Sequence, residues 1–437
     1  MKAAPINCAA DGVVSATTEF DAAWNGMEIQ EADSQHKVRL LVFTSLYPNA
    51  AQPRHGTFVE ERLRHLLASG RVTATVVAPV PWFPFRHSRF GDYAMFAQVP
   101  RHEERFGIQI LHPRYPVIPK LGMNIAPALM YRALLPALRK WSGRHAAFDL
   151  IDAHYFYPDG VAATRLGIAM NKPVVITARG SDVNVIARYR SPARQIRWAA
   201  EHAAAIVTVS DALKNKLESL GVSGHKIVTL RNGVDLSRFQ PLDRGVIRAR
   251  FDLAGPVWLA VGHLIELKGV HIALAALART PDTTLLIAGE GPEERHLRQL
   301  AKRLDVSPRV RFLGAVPQAD LCDYYNAADV TVLASSCEGM PNVVLESLAC
   351  GTPVIAAPFA GVTELLSAPD AGEVAAERSA EAIASAWSRL RSHAPDRAAT
   401  RSFAERLGWQ PVVEAQLALY TQVLSAVAGG ASPGATP

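Results

Sequence analysis

Short apolar runs alternate with amphipathic helical stretches along much of this chain of 437 residues. In the first half, apolar runs at residues 38–44 and 72–78 flank a stretch with helical spacing at residues 57–68. Apolar runs without polar alternation, separated by helices, are typical of parallel sheets covered on both faces. The same pattern predicts further strands at residues 149–153, 173–177, 205–209 and 227–230.

The alternation restarts in the second half of the chain. It predicts strands at residues 257–261, 284–288, 310–313, 330–333 and 354–356, with helices near residues 270–277 and 293–303. The fold class predicted is therefore α/β, with two doubly wound, Rossmann-like domains of similar size. Such sheets bind ligands at the carboxyl ends of their strands, so a cleft between two facing domains is the expected site.

The predicted domain organisation has five parts. A loose extension covers residues 1–35, the first domain residues 36–236 and the second domain residues 237–405. A helix at residues 406–425 either closes the second domain or crosses back to the first, and residues 426–437 form a disordered tail rich in Gly, Ala, Ser and Pro. The linker is expected near residues 232–244, where Asn-Gly, Pro and charged residues cluster.

Composition narrows the class of protein. The net charge of +6 and the pI of about 9.2 fit anionic small molecules or an anionic surface, or serve solubility alone. Basic residues are dispersed and no nucleic-acid motif occurs, so we expect no nucleic-acid partner.

The four cysteines form no CxxC pair, and no apolar run reaches the ~18 residues of a spanning helix. We expect a cytoplasmic protein without a bound metal, in contact with a membrane only peripherally.

Residues 335–356 are the most informative segment for chemistry. Pro341 and Asn342 suit the start of a helix that Gly351 would end, and Gly339 lets backbone N–H groups approach an anion at that start. Glu338 and Glu346 flank this place, so one could hold sugar hydroxyls and the other ribose hydroxyls. Surface glutamates after a strand are also common, which leaves a purely structural interpretation open.

Two loops elsewhere offer phosphate contacts. Lys268 follows the strand that ends at Gly262, where an ammonium can neutralise a diphosphate, although most single lysines are only solvated. In the first domain Gly56 permits close backbone approach and Thr57 can cap a helix. No GxGxxG follows the first strand, which disfavours a nicotinamide dehydrogenase.

Polar residues also follow two strands of the first domain. His154 lies at the end of the strand predicted at 149–153, where it can hydrogen-bond a substrate or serve only the structure. Arg179 and Asp182, in the segment RGSD, follow the next strand and would lie at the same edge as cleft or acceptor residues.

These motifs together resemble the retaining glycosyltransferases of family 4, which have the GT-B fold. The segment EGMPNVVLESLACGTPVIA has the E-x7-E spacing of that family, and VGHLIELKG is similar to its G-R-L-x-x-x-K-G segment. LLIAGEGP, RVRFLGAV and LRNGVDLSRFQP are similar to further recurring pieces, and TSLYPNAAQPRHGTFVEERLRHL, DAHYFYPDG and TARGSDVN match in order. The resemblance runs from about residue 38 to 424.

The resemblance implies a role for each matching residue. Glu338 would contact the donor sugar, Glu346 the ribose and Lys268 the diphosphate, while Gly56 would approach the diphosphate and His154 the reacting carbon. The implied donor-binding residues also include Gly262, His263, Gly339, Met340, Pro341 and Asn342. The family retains anomeric configuration and is expected to need no metal or other cofactor.

The sequence departs from the family pattern in three places. His263 stands where Arg is usual beside the diphosphate, and Arg179 stands where His is usual before Gly-x-Asp. The first glycine loop has a single Gly56 rather than a pair. His263 leaves the phosphate clamp weaker unless its ring is protonated.

The predicted activity is transfer of a hexose from a UDP- or GDP-sugar to a glycan, lipid-linked or small-molecule acceptor in bacterial cell-surface polysaccharide or glycoconjugate biosynthesis. Alternatives are an epimerase or hydrolase of nucleotide sugars on the same fold, or a non-catalytic nucleotide-sugar-binding protein. Aromatic and basic residues at 80–96 and 113–127, including Arg114, Tyr115 and Lys120, predict an acceptor-side surface that touches anionic membrane, or else an ordinary loop.

Overall fold

The computed structural model describes residues 37–430 apart from residues 84, 86, 88–90, 118–121, 145–147 and 394. The predicted extension at residues 1–35, with Cys8, and Lys120 lie outside the described residues. The chain divides into two compact units. Of the described residues, the first unit comprises those up to Val209, Leu213–Leu230 and those from Val413, and the second comprises Ser210–Ala212 and Arg231–Val412. The prediction that two domains face each other across a cleft concerns their placement and stays a prediction.

The first unit is built on an eight-stranded sheet with the order β10-β9-β8-β7-β1-β2-β5-β4. Neighbouring strands are parallel except β4, which is antiparallel to β5. The strands are β1 Val38–Phe43, β2 Val72–Val77, β3 Val80–Pro81, β4 His102–Arg105, β5 Ile108–Leu111, β6 Arg114–Tyr115, β7 Leu150–His154, β8 Val174–Ala178, β9 Ala205–Thr208 and β10 Ile227–Thr229.

Helices cover the sheet of the first unit, as parallel strands require for burial of both faces. Strands β3 and β6 form a separate two-stranded sheet. The α-helices in this part of the chain are Thr57–Ala68, Asp92–Phe96, Gly122–Arg144, Val161–Met170, Ser181–Asn184, Arg190–His202 and Asp211–Ser219.

Several elements of this unit were not predicted from the sequence, among them the short strands β3 and β6, the hairpin of β4 and β5 and the helix Gly122–Arg144. The hairpin of β4 and β5 was missed because β4, with the sequence HEER, is charged and lies half exposed at the sheet edge. The helix Gly122–Arg144 was missed because it contains Pro127 and Pro136, and prolines normally end a helix. Part of the segment interpreted as a loop at residues 113–127 is therefore strand and helix.

The second unit has a six-stranded sheet, parallel throughout, with the order β13-β12-β11-β14-β15-β16. Buried apolar side chains form two clusters in this unit, one of which includes Tyr325 and the other Trp258. The strands are β11 Val257–Val261, β12 Thr284–Ala288, β13 Val310–Gly314, β14 Val330–Leu333, β15 Val354–Ala356 and β16 Gly372–Val374. The helices are Arg244–Arg250, Val270–Leu277, Glu294–Arg303, Gln318–Ala327, Asn342–Ala349, Val362–Leu365, Ala380–Ser392 and Arg397–Glu405.

The last helix, Trp409–Ala428, belongs to the first unit from Val413 onward. Its side chains Leu417, Tyr420 and Val423 are buried in the same cluster as the strand residues Leu40 and Val42. The helix ends three residues beyond the predicted boundary at 425, and residues 431–437 of the predicted tail lie outside the described part of the chain.

A chain of buried polar groups ties this helix to the sheet. Tyr420 donates a hydrogen bond of 2.8 Å from its hydroxyl to Asp152 Oδ2 in β7, and accepts one from the side-chain amide of Gln416. Gln416 Oε1 accepts a hydrogen bond of 2.5 Å from Nε of Arg62, whose Nη1 donates to the carbonyl of Leu230 at 3.3 Å. Buried polar groups are costly without such partners, so the network determines where the last helix packs.

In the described residues, no helix combines the length and the hydropathy that crossing a membrane would demand.

The substitution Tyr420→Phe tests this network. It removes the donor to buried Asp152 and the acceptor of Gln416 while keeping the ring, so the free energy of unfolding should fall by about 1–3 kcal/mol. Urea denaturation followed by circular dichroism measures the change. The control is Tyr189→Phe, at a residue 55% exposed, which should leave the midpoint in place. An equal midpoint for both variants would contradict the inferred role of the network.

Candidate active site

The strand order of the second unit creates a crevice at one point of its sheet. The strand order is β13-β12-β11-β14-β15-β16. From β11 the chain adds strands toward one edge of the sheet, and from β14 it adds them toward the other. In open α/β sheets, ligands bind outside the carboxyl ends of the strands at such a switch point. The segments that follow β11 and β14 begin with Gly262 and Ala334, and they carry most of the donor-binding residues that the sequence predicts.

A close backbone contact brings these two segments together. Gly269 has a φ of +69°, and a Cβ on it would lie 2.0 Å from the carbonyl oxygen of Ala334. Only glycine accommodates both the left-handed conformation and the contact. Ser336 N also donates to the carbonyl of Leu267 at 2.9 Å. The segments after β11 and β14 are therefore held side by side.

Lys268 and Glu338 meet at this place. Lys268 Nζ lies 2.7 Å from Glu338 Oε1, and the two side chains keep 26% and 11% of their surface exposed. Two residues 70 positions apart in sequence, both predicted to bind the donor, thus form one partly exposed ion pair. Arg378 joins the two loops that carry the pair, since its Nε donates to the carbonyl of Ala334 at 2.8 Å and its Nη2 to that of Glu266 at 3.3 Å.

The other residues predicted around the pair occupy varied positions. Gly262 is half-buried, with the aliphatic stem of Lys268 3.9 Å from where its Cβ would stand, and His263 is exposed. Gly339 and Met340 are half-buried in the loop after Glu338.

The helix Asn342–Ala349 begins after Pro341, as predicted. Asn342 Oδ1 accepts a hydrogen bond of 2.9 Å from Asn232 Nδ2.

Glu346 lies on a buried face of this helix. Its Oε2 accepts a hydrogen bond of 2.8 Å from the hydroxyl of Tyr325 in the helix Gln318–Ala327. Burial raises the pKa of Glu346, while hydrogen bonds from Tyr325 and Gln318 and the charge of Arg238 act in the opposite direction. The residue is 8% exposed.

The sheet of the first unit has its own switch point, between β1 and β7. Here Asp159 binds the segment that follows β1, accepting hydrogen bonds of 2.6 Å from Ser45 N and 2.8 Å from Ser45 Oγ. Burial raises the pKa of Asp159 to about 7; the bonds from Ser45 and Thr44 lower it, and the nearby Asp182 raises it further. Asp159 was not singled out from the sequence.

His154, at the end of β7, is 2% exposed, and both of its ring nitrogens have protein partners. Arg179 Nη2 lies 2.7 Å from Nδ1, and Asp152 Oδ2 lies 3.1 Å from Nε2. Because the guanidinium can only donate, Nδ1 accepts and the proton of the neutral ring is on Nε2. Burial lowers the pKa of His154 and the charge of Arg179 lowers it further, against the effect of Asp152.

Arg179 remains charged at neutral pH. Burial lowers its pKa to about 9, and Arg62 contributes to the shift while Asp152 and Asp182 oppose it. Its guanidinium also lies 5.3 Å from the ring centre of Phe58. The carboxyl ends of β7 and β8 thus carry a buried cation, Arg179, next to a neutral histidine, His154.

Asp182 is fully buried and serves the backbone. Its carboxylate accepts hydrogen bonds from four amides, at 2.7 Å from Phe156 and Gly180, at 3.1 Å from Val183 and at 3.1–3.2 Å from Arg179. Burial raises its pKa and these amides oppose the rise. Asp182 was predicted to be a cleft residue. In this structure its carboxylate instead binds backbone amides and so fixes the conformation of the segment after β8.

Gly56 lies buried before the helix Thr57–Ala68, with a φ of +73°. A Cβ there would come within 2.3 Å of the carbonyl oxygen of Leu46, so this loop requires glycine. The expected capping by Thr57 is absent, since Thr57 is the first helical residue and no side chain caps this helix.

Sequence reasoning missed the residues that hold the predicted ones in place. Tyr325, Arg378 and Asp152 are single residues in ordinary helix, loop and strand segments. No local pattern marks them, because each acts through a contact with a distant part of the chain.

Asp159→Asn tests the buried carboxyl at the first switch point. An unperturbed Asp titrates near 3.8, so between that pH and about 7 the folded protein binds more protons than the unfolded chain. The stability contributed by protonated Asp159 is fully present below pH 3.8 and is lost as the pH rises through about 7. Relative to Asp159→Asn, the free energy of unfolding of the wild type should fall by ~2 kcal/mol or more between about pH 4.5 and pH 8. Each pKa unit is worth about 1.4 kcal/mol.

Urea denaturation at both pH values measures this difference for each protein. Glu218→Gln, at an exposed carboxylate of the first unit, is the control and should follow the wild type. Parallel pH profiles for wild type and Asp159→Asn would show that Asp159 is ionised throughout.

Two family models match the chain. One described as Glycosyl transferases group 1 covers residues 248–406, and one described as Glycosyltransferase Family 4 covers residues 97–238. TuaC of Bacillus subtilis, whose name assigns it to teichuronic acid biosynthesis, is 32% identical over 337 residues, 75% of this chain and 83% of that protein.

Solved structures show the same architecture. A sucrose-phosphate synthase from Thermosynechococcus elongatus aligns with a TM-score of 0.71 at 21% identity, covering 90% of this chain and 100% of that one. HepE of Anabaena in complex with UDP-glucose aligns with a TM-score of 0.65 at 18% identity, covering 89% and 100%. The chain has the GT-B fold and belongs to the glycosyl transferases group 1.

Proposed function

We propose that this glycosyltransferase is a retaining enzyme of family 4 that transfers a hexose from a UDP- or GDP-sugar to a glycan, lipid-linked or small-molecule acceptor. The observation that carries the proposal is the pair of Lys268 and Glu338 at the switch point of the second sheet. The complex of HepE with UDP-glucose supports a nucleotide-sugar donor, and the name of TuaC supports a role in cell-surface polysaccharide biosynthesis.

The chemistry follows from where charge develops. As the glycosidic bond breaks, the nucleoside diphosphate gains negative charge, which a preorganised cation and helix-terminal amides stabilise. In the proposed site Lys268 supplies the cation, and the amides lie at the start of the helix Asn342–Ala349. Glu338 contacts sugar hydroxyls while orienting Lys268, and Glu346 holds the ribose. With an ammonium in this position, the proposed reaction requires no metal.

His154 is proposed to assist the reacting carbon from the first unit. Its ring is neutral and both nitrogens are engaged, so direct contact with the reacting atoms requires it to exchange Arg179 or Asp152 for substrate. Arg179, the departure from the family pattern, adds a positive charge at this edge that the usual histidine would not carry permanently.

The donor is identified by thermal stabilisation. A ligand that binds only the folded state stabilises it by about 2.7 kcal/mol at a concentration 100 times its dissociation constant. A panel of UDP- and GDP-sugars should therefore raise the melting temperature selectively. Stabilisation by no member of the panel would contradict the proposed donor class.

Lys268→Ala tests the mechanism. Loss of one preorganised group of this kind lowers turnover by about 10²–10³-fold, so transfer should fall by that factor with the circular dichroism spectrum unchanged. The matched control is Lys302→Ala, at an exposed lysine of the helix Glu294–Arg303, which should keep wild-type turnover. Wild-type activity in Lys268→Ala would refute the role of Lys268.

The same assay separates the alternatives. Rapid donor turnover without acceptor and without transfer product would indicate an epimerase or hydrolase. Donor binding by calorimetry without any turnover would indicate a binding protein.

Peripheral contact with anionic membrane is a further proposal for the acceptor side. Trp82 and Phe85 are 46% and 55% exposed in the aromatic segment after β3. Aromatic side chains next to bases suit the interface of an anionic bilayer. The double variant Trp82→Ser, Phe85→Ser should sediment less with vesicles containing anionic lipid, whereas Val246→Ser, at an exposed apolar residue of the second unit, should sediment as the wild type does. Background sedimentation of the wild type would remove this proposal.

A further inference from the structure

The hydroxyl of Tyr325 donates a buried hydrogen bond to the carboxylate of Glu346. The two residues lie on neighbouring helices of the second unit, and the hydroxyl of Tyr325 lies 2.8 Å from Glu346 Oε2. Tyr325 is fully buried, and its ring meets that of Phe239 edge-on, with centroids 6.0 Å apart. A ring confined in this way cannot follow a moving carboxylate, so the carboxylate is held at the position that the ring dictates.

The helix that carries Tyr325 is itself anchored next to Glu346. Thr352 Oγ1 donates to the carbonyl of Tyr325 at 2.7 Å, and Ser347 Oγ donates to the carbonyl of Thr352 at 2.8 Å. Ser347 directly follows Glu346, so the backbones on both sides of the tyrosine–glutamate contact are joined by buried hydrogen bonds. Groups held this way keep their geometry when a ligand arrives.

The contact also leaves acceptor capacity on the glutamate. An ionised carboxylate has two oxygens and about four lone-pair sites, of which the phenol of Tyr325 occupies one and the side chain of Gln318 another. A phenol that donates to the carboxylate favours its charged form, against the burial that raises the pKa of Glu346. The charged form accepts hydrogen bonds only, as recognition of a vicinal diol requires.

We infer that Tyr325 is a positioning residue that orients Glu346 to bind the ribose hydroxyls of the donor, and so sets the preference of this enzyme for ribonucleotides over deoxyribonucleotides. The inference rests on the proposed function, in which Glu346 holds the ribose. Tyr325 itself touches no part of the donor. Its effect is therefore confined to ligands that carry the ribose hydroxyls.

Calorimetric titration of the full-length protein with UDP and GDP, and with their 2′,3′-dideoxy forms, tests the inference. Tyr325→Phe keeps the buried ring and removes the hydroxyl. It should weaken binding of the ribonucleotide roughly tenfold, the size expected for loss of one hydrogen bond to a charged group. Binding of the dideoxy form should stay within about twofold, because it lacks the hydroxyls that Glu346 accepts from.

Tyr324→Phe is the matched control. Tyr324 is the preceding residue and stacks on Phe251 with ring centres 4.7 Å apart, whereas the carboxylate of Glu346 accepts hydrogen bonds from Tyr325 and Gln318. This variant should bind all four nucleotides as the wild type does. A merely structural role of Tyr325 would weaken ribo- and dideoxyribonucleotides equally, and that result would overturn the inference.

A second variant keeps the test independent of how well Tyr325→Phe folds. Glu346→Asp shortens the side chain by one methylene and withdraws the carboxylate from the phenol, so it should also lose the preference for the ribonucleotide. A retained preference in Glu346→Asp would overturn the inference.

Failure of the proposed function gives a different result. Wild-type protein that binds neither UDP nor GDP would contradict the donor class and the inference together. Wild-type binding with a ribose preference that Tyr325→Phe leaves intact would overturn the inference alone.

Discussion

The adjacency of β11 and β14 at the centre of the second sheet is the constraint on which the candidate donor site depends. Because the chain winds away from these two strands in opposite directions, their carboxyl ends form a switch point of the kind at which open α/β sheets bind ligands. The close approach of Gly269 to Ala334 then aligns the two following loops. Lys268 and Glu338 are placed by the strands and loops that precede them, and Arg378 bonds to carbonyls of both loops.

The first unit differs in that it buries several charged groups. Arg62, Asp152 and Arg179 are almost fully buried, and each would be costly alone. The carboxylate of Asp152 accepts from Tyr420 and His154, and Arg179 donates to His154. Removal of any one of these side chains would leave a buried polar or charged partner without its hydrogen bond, so the groups depend on one another. The same network places the last helix against β7 and holds the proposed catalytic histidine in one tautomer.

Much of the architecture was open to prediction from the sequence. The strands predicted in both units occur within about one residue of the predicted bounds. Buried parallel strands have nearly continuous apolar sequences, which makes them easy to recognise. Predictions failed where local rules conflict with the tertiary context. The helix Gly122–Arg144 tolerates Pro127 and Pro136, and the half-exposed strand His102–Arg105 has no apolar face to recognise. Periodicity also left the partner of the last helix undecided, since an apolar stripe does not say what covers it.

For the candidate site, the sequence by itself determined the types of chemical group and the loops that carry them. Strand-end positions and helix-start signals identified Lys268, Glu338, Glu346 and His154 as candidates. Only the tertiary structure decided which of them meet. It paired Lys268 with Glu338, turned Glu346 toward Tyr325, enclosed His154 between Arg179 and Asp152, and assigned Asp182 to four backbone amides. The reason is physical: spacing along a strand or helix reports the face on which a residue lies, whereas hydrogen bonds and ion pairs join residues that the fold brings together from distant positions.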